Sequence, residues 1–104
     1  MKFRTTKAFE KALDALDKKW AKRINAVMKE IAAASSIHEI TDVKKLVEYN
    51  NVYRIRVGSK RAFFTFHIEV IDDYLFLRFL VNRGQAYDRK MQRLLRKADE
   101  ESHE

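Results

Sequence analysis

Val52-Tyr53-Arg54-Ile55-Arg56-Val57-Gly58-Ser59-Lys60-Arg61-Ala62-Phe63-Phe64-Thr65-Phe66 reads as two strands joined by a tight turn. β-branched and aromatic residues fill both arms, and Gly58-Ser59, glycine first, is a two-residue hairpin loop. That loop makes Val57 and Lys60 neighbours and sets Arg56 opposite Arg61 and Arg54 opposite Phe63. Side chains alternate between faces with a period of two. Tyr53, Ile55, Val57, Ala62, Phe64 and Phe66 then share one face, and Arg54, Arg56, Arg61, Phe63, Thr65 and His67 the other. A three-residue loop would mix the apolar and charged sets, so the shorter loop is the consistent one.

Two arginines paired across a ribbon repel. No Asp or Glu falls between Glu48 and Glu69 to neutralise Arg54, Arg56, Lys60 and Arg61. A solvated face usually mixes signs. An anion held among the cations accounts for this one.

Outward from the hairpin, Tyr74 to Asn82 forms a third strand, apolar on both parities as a central strand should be. Arg78 interrupts one parity and is expected to join the cationic face. Asp72-Asp73 marks the turn before it. Towards the N-terminus, Phe9, Leu13, Leu16, Trp20, Ile24, Val27 and Ile31 recur at helical spacing. Thr6 and Asp17 are N-cap candidates, so two helices forming a hairpin are expected. Met1 to Thr5 alternates weakly and suits a short edge strand. Ile37 to Asn51 reads as a connecting segment, with Ile40, Val43 and Leu46 turned inward. Arg83 to Tyr87 leaves the third strand, and Tyr87, Met91, Leu94 and Leu95 mark one side of a short C-terminal helix. Residues 1–98 are expected to be one domain and 99–104 a frayed polar tail.

The chain has 104 residues, 46% of them hydrophobic, which suits one modest globular core. It lacks cysteine, so neither a disulfide framework nor a thiolate metal site is available, and the cytoplasm is the expected compartment. The three histidines are scattered, so no metal or other cofactor is implied. No apolar run is long enough for a membrane span. The net charge of +7 calls for an acidic partner. Residues 1–45 carry nine Lys and two Arg, whereas residues 46–104 carry three Lys and eight Arg. Guanidinium grips phosphate through paired hydrogen bonds, so this shift coincides with the cationic ribbon.

Two helices, a sheet containing Tyr53-Arg54-Ile55-Arg56-Val57-Gly58 and Arg61, then Arg83 and Tyr87 after the last strand, form a specific order of parts. It resembles the RelE/ParE superfamily of bacterial toxins from toxin–antitoxin modules, over nearly the whole chain. The resemblance implies an α+β fold, a helical hairpin packed on a small twisted antiparallel sheet with a short C-terminal helix. It also implies a cognate acidic antitoxin as partner. RelE-like members cut messenger RNA on the ribosome; ParE-like members inhibit DNA gyrase without nuclease chemistry. The hairpin motif is common to both branches; the nuclease is the leading expectation, with a gyrase inhibitor or a degenerate member that only binds antitoxin or RNA as the alternatives.

By that resemblance, Arg61 and Arg83 hold the scissile phosphate, Arg54 and Arg56 stabilise charge, and Tyr87 is a base or orients a nucleotide. Lys60, Phe63 and Arg78 are expected to contact RNA, Phe63 by stacking. A phenol with a pKa of about 10 needs cations nearby to act as a base. RelE-like sites often carry lysine where this chain has Arg54 and Arg56, and many relatives have histidine where it has Asn82. Arginine does not readily release a proton. The shortage of a proton donor is the feature that would suit the gyrase-inhibitor branch.

Overall fold

The computed structural model describes residues 1–58, 60–68 and 73–101, with residues 61–68 and 73 described by backbone alone. The Gly58-Ser59 loop is therefore described only at Gly58. The Asp72-Asp73 turn and residues 102–104 of the expected tail lie outside the described residues, as do the side chains of Arg61, Phe63 and His67. The architecture is α+β, with the expected helical hairpin against a twisted sheet. Its elements run β1 (Lys2–Thr5), α1 (Lys7–Asp14), α2 (Lys18–Ala33), β2 (Val43–Lys45), β3 (Val52–Val57), β4 (Lys60–Ile68), β5 (Asp73–Asn82) and α3 (Arg89–Glu101).

The strands form one sheet in the order β1-β5-β4-β3-β2. β1 is the expected edge strand and runs parallel to β5, while all the other pairs are antiparallel. The β3–β4 register is the one the short loop demands: Val57 faces Lys60, Arg56 faces Arg61, and Arg54 faces Phe63. Gly58 has φ 56°, the left-handed region where a side chain is strained. A Cβ there would also lie 2.7 Å from Cη2 of Trp20, so glycine lets the turn close over the indole.

Both predicted caps form. Thr6 Oγ1 accepts from Phe9 N at 3.1 Å, and Asp17 Oδ1 accepts from Trp20 N at 3.0 Å. Thr6 also donates to the Arg78 carbonyl at 2.7 Å, which ties the start of α1 to the middle of β5. The sheet is irregular there. Phe63 pairs with Phe79 and Phe64 with Leu77, so Arg78 is an extra residue on β5, a bulge. The bulge explains the strand's double parity. Leu75, Leu77 and Leu80 all belong to the core beneath α1 and α2, together with Phe9, Ile24, Ile31, Ile55 and Val57. Phe79 and Val81 belong to a second core on the opposite face, with Val52, Leu46, Tyr49, Ala86, Met91 and Leu95.

The second core changes three expectations. The connecting segment contains a strand, β2, which three residues are too few to announce by periodicity. Ile40 and Leu46 are buried as expected, Val43 is half-buried, and Ile37 is buried as well. Residues 99–101 are the last turn of α3 rather than the start of a frayed tail. Asp99 is 8% exposed and accepts from Asn50 N at 2.9 Å and Asn51 N at 2.6 Å. It thereby pins the β2–β3 loop to α3. Tyr87 precedes α3 and is 51% exposed, so it does not share the helix's buried side with Met91 and Leu95.

Replacing Asp99 with Ala leaves two amide donors without their acceptor, a loss of about 1–3 kcal/mol. Urea denaturation should show a lower midpoint for Asp99→Ala with an unchanged slope. Gly58→Ala should cost about 1 kcal/mol or more through the left-handed backbone alone. Relief of that loss in a Gly58→Ala, Trp20→Ala double variant, measured in the same way, isolates the part due to the indole.

Candidate nucleic-acid interface

Arg54 and Arg56 point away from the helical hairpin, since their neighbours Ile55 and Val57 are buried in its core. α3 packs on this face at Val52, through Met91 and Leu95. Arg54 remains half-buried and Arg56 exposed, which keeps both guanidiniums hydrated. The face is thus a rim beside a packed helix rather than a fully open sheet.

At that rim lies a cavity of about 220 Å³, lined by Lys44, Lys45, Leu46, Val47, Glu48, Arg54 and Tyr87. Two elements bring Tyr87 to Arg54. The 3-10 turn Arg83–Gln85 reverses the chain after β5, and Ala86, fully buried, anchors it in the second core. Tyr87 follows directly and projects beside the β2–β3 loop. Val47, 87% exposed, lines the same cavity. An aromatic ring and an aliphatic side chain, both open to solvent, therefore flank three cations. That pairing of apolar faces with positive charge suits a nucleotide.

The cavity holds residues that the sequence reading passed over. Lys44 is the Cα partner of Arg54, and Lys45 that of Tyr53. Both lysines are exposed, and Lys45 Nζ donates to the Tyr49 carbonyl at 2.8 Å. The available signal was the Val43-Lys44-Lys45-Leu46 run, a lysine pair between two inward-facing residues. Glu48 adds one carboxylate to the lining, close to the stretch that lacks acids.

The other candidate residues are distributed as follows. Arg56 lines a different cavity, of about 300 Å³, with Arg23, Glu30 and Asp42 among its neighbours. The β2 ladder ends opposite Ile55, and beyond it the Asp42 carbonyl accepts from Arg56 N at 3.3 Å. Arg83 is exposed at the end of β5. Lys60 pairs with Asn82 across the sheet and donates from Nζ to its Oδ1. Lys60, Arg61, Arg56 and Arg83 therefore lie at one end of the sheet by backbone register. The side chains of Arg61 and Phe63 lie outside the described residues. Arg78 is engaged elsewhere: it forms an ion pair with Glu101 of α3 at 2.9 Å and sits 4.6 Å over the Phe76 ring.

Tyr49, a second phenol near the site, lines the neighbouring cavity with Tyr87. Burial, reinforced by Glu48 and Asp99 and opposed by Arg96, pushes its hydroxyl above the ordinary phenol range. That hydroxyl donates to the Gln92 carbonyl at 3.4 Å. Among the described residues, no three His, Cys, Asp or Glu side chains converge as a metal site. Nor is any described helix long and apolar enough to cross a membrane.

No protein-family model matches the chain. It is 35% identical over 89 residues to Toxin RelE3 of Methanocaldococcus jannaschii, a match covering 85% of this chain and 97% of that toxin. Its fold resembles the RelB-RelE antitoxin-toxin complex from Methanococcus jannaschii, with a TM-score of 0.64 and 28% identity, over 86% of this chain and 98% of the matched one. The archaeal RelE-RelB complex from Pyrococcus horikoshii OT3 is similar to the same degree, with a TM-score of 0.64, 25% identity, and 82% and 97% coverage. On that identity and coverage the chain belongs to the RelE family of toxins.

Proposed function

We propose that this protein is a ribosome-dependent endoribonuclease that cuts messenger RNA, with Arg54, Arg56, Arg61, Arg83 and Tyr87 as its working residues. The observation carrying this reading is that Tyr87 and Arg54, 33 positions apart in the chain, line one cationic cavity beside solvent-exposed apolar groups. The 2′-hydroxyl attacks the adjacent phosphate, and the crowded phosphorane that forms is stabilised by fixed positive charge. Arg54 and Arg56 supply that charge, while Arg61 and Arg83 hold the phosphate. Tyr87, as its phenolate, takes the 2′ proton. Lys60 and Phe63 extend the surface for flanking nucleotides. The ion pair of Arg78 with Glu101 gives that residue first a structural task, as a tether for α3.

An acidic antitoxin is the expected partner, and both structural neighbours are complexes of RelE with RelB. An acidic segment that is disordered when free could lie along the rim and order on binding. The relatives named above support the nuclease branch rather than gyrase inhibition, since each carries the RelE name. A protein that cuts messenger RNA on the ribosome works in the cytoplasm, and that compartment is part of this reading.

Tyr87→Phe keeps the ring and removes the hydroxyl. Cleavage of messenger RNA in the ribosomal A site should fall by about 10²–10⁴-fold, the range for a general base. Ribosome binding should persist. Unchanged cleavage would leave Tyr87 a stacking role at most. Arg61→Ala should abolish toxicity when expressed without antitoxin, because removing one donor to the developing charge costs about 10²–10³-fold. Equal toxicity of variant and wild type, or inhibition of purified gyrase in a supercoiling assay, counts against the nuclease. Affinity for ribosomes should drop steeply with added salt as phosphate contacts release counterions.

A further inference from the structure

The proposed cleavage has an unmet chemical need. As the 2′-oxygen bonds to phosphorus, the bond from phosphorus to the 5′-oxygen breaks. The departing oxygen is strongly basic and must receive a proton. Arg54 and Arg56 cannot supply it, since guanidinium keeps its protons throughout the accessible pH range. A lysine ammonium can.

Lys44 stands where such a donor is needed. It is the Cα partner of Arg54 on the neighbouring strand, and antiparallel partners lie about 4.5–5.5 Å apart at their Cα atoms. Partners in a ladder send their side chains to the same face. Both residues line the cavity that Tyr87 also lines, and Lys44 is exposed. The other lysine of the lining, Lys45, is already donating to the Tyr49 carbonyl and pairs with Tyr53 instead.

We propose that Lys44 is the general acid of the cleavage, a catalytic residue on β2 that protonates the departing 5′-oxygen while Arg54 beside it holds the charge of the phosphorane. The inference rests on the endoribonuclease reading. The step balances. The 2′ proton passes to the Tyr87 phenolate, the bond between the 2′-oxygen and phosphorus forms, and the bond to the 5′-oxygen breaks. One proton moves from Lys44 Nζ to that oxygen. The products are a 2′,3′-cyclic phosphate and a 5′-hydroxyl, with no oxidant, metal or further reactant.

The test compares wild type, Lys44→Ala and Lys44→Arg on ribosomes carrying a short messenger in the A site. A second messenger has sulfur in place of the scissile 5′-oxygen. Thiolate leaves without protonation, so the sulfur substrate needs no acid. On the oxygen substrate both variants should cleave about 10²–10⁴-fold more slowly than wild type, the usual contribution of a general acid. Lys44→Arg should still bind ribosomes like wild type, because its charge is kept. On the sulfur substrate both variants should return to near the wild-type rate. Full activity of Lys44→Arg on the oxygen substrate would reduce Lys44 to a fixed charge and overturn the proposal. So would a defect that persists on the sulfur substrate. If the wild type itself cuts neither messenger, the endoribonuclease reading fails, and the acid falls with it.

Discussion

The register of the β3–β4 ribbon is the constraint on which the rest of the molecule depends. It is set at Gly58, where a positive φ of 56° and the missing Cβ let the turn close against Trp20. With Val57 fixed opposite Lys60, Ile55 and Val57 enter the core under α1 and α2, and Arg54 and Arg56 are turned to the other face. A slip of one residue would exchange these sets and bury the arginines in an apolar core. Such a burial costs several kcal/mol for each unpaired charge, about as much as the net stability of a small domain.

The second organising device is the bulge at Arg78. One extra residue on β5 lets the same strand face the first core through Leu75, Leu77 and Leu80 and the second through Phe79 and Val81. The bulged residue is also put to use. Its carbonyl accepts from Thr6, the cap of α1, and its guanidinium pairs with Glu101 at the end of α3. Layers on opposite faces of the sheet are thus tied to a single point. Asp99 adds the complementary tie from α3 to the loop after β2. The rim cavity lies between these ties, bordered by a loop and a turn that are each held to the second core by one buried residue, Leu46 and Ala86.

Much of this was legible from residue pattern. The two caps, the helical stripe from Phe9 to Ile31, the hairpin register and the edge strand all follow from local rules, and the structure follows them. The strand β2 was not legible, because three residues give no period. The persistence of α3 through residues 99–101 was hidden as well, since an acidic run reads as solvated until its carboxylate is seen to cap backbone amides. Arg78 keeps the side that alternation gives it, over Phe76 and away from the hairpin core, but an ion pair with Glu101 of α3 engages it there, which strand periodicity does not record.

The sequence by itself determined the class of the fold, the pairing of the ribbon and the positive character of one face, because each is written in nearest-neighbour periodicity and in the reach of a two-residue turn. Only the tertiary structure decided which groups meet at that face. Lys44 stands beside Arg54, Tyr87 from beyond β5 lines the same cavity, and Arg56 lines a different one. Adjacency between strands and across a docked helix depends on how loops and a bulge are packed. A pattern with a period of two or of 3.6 carries no record of that packing.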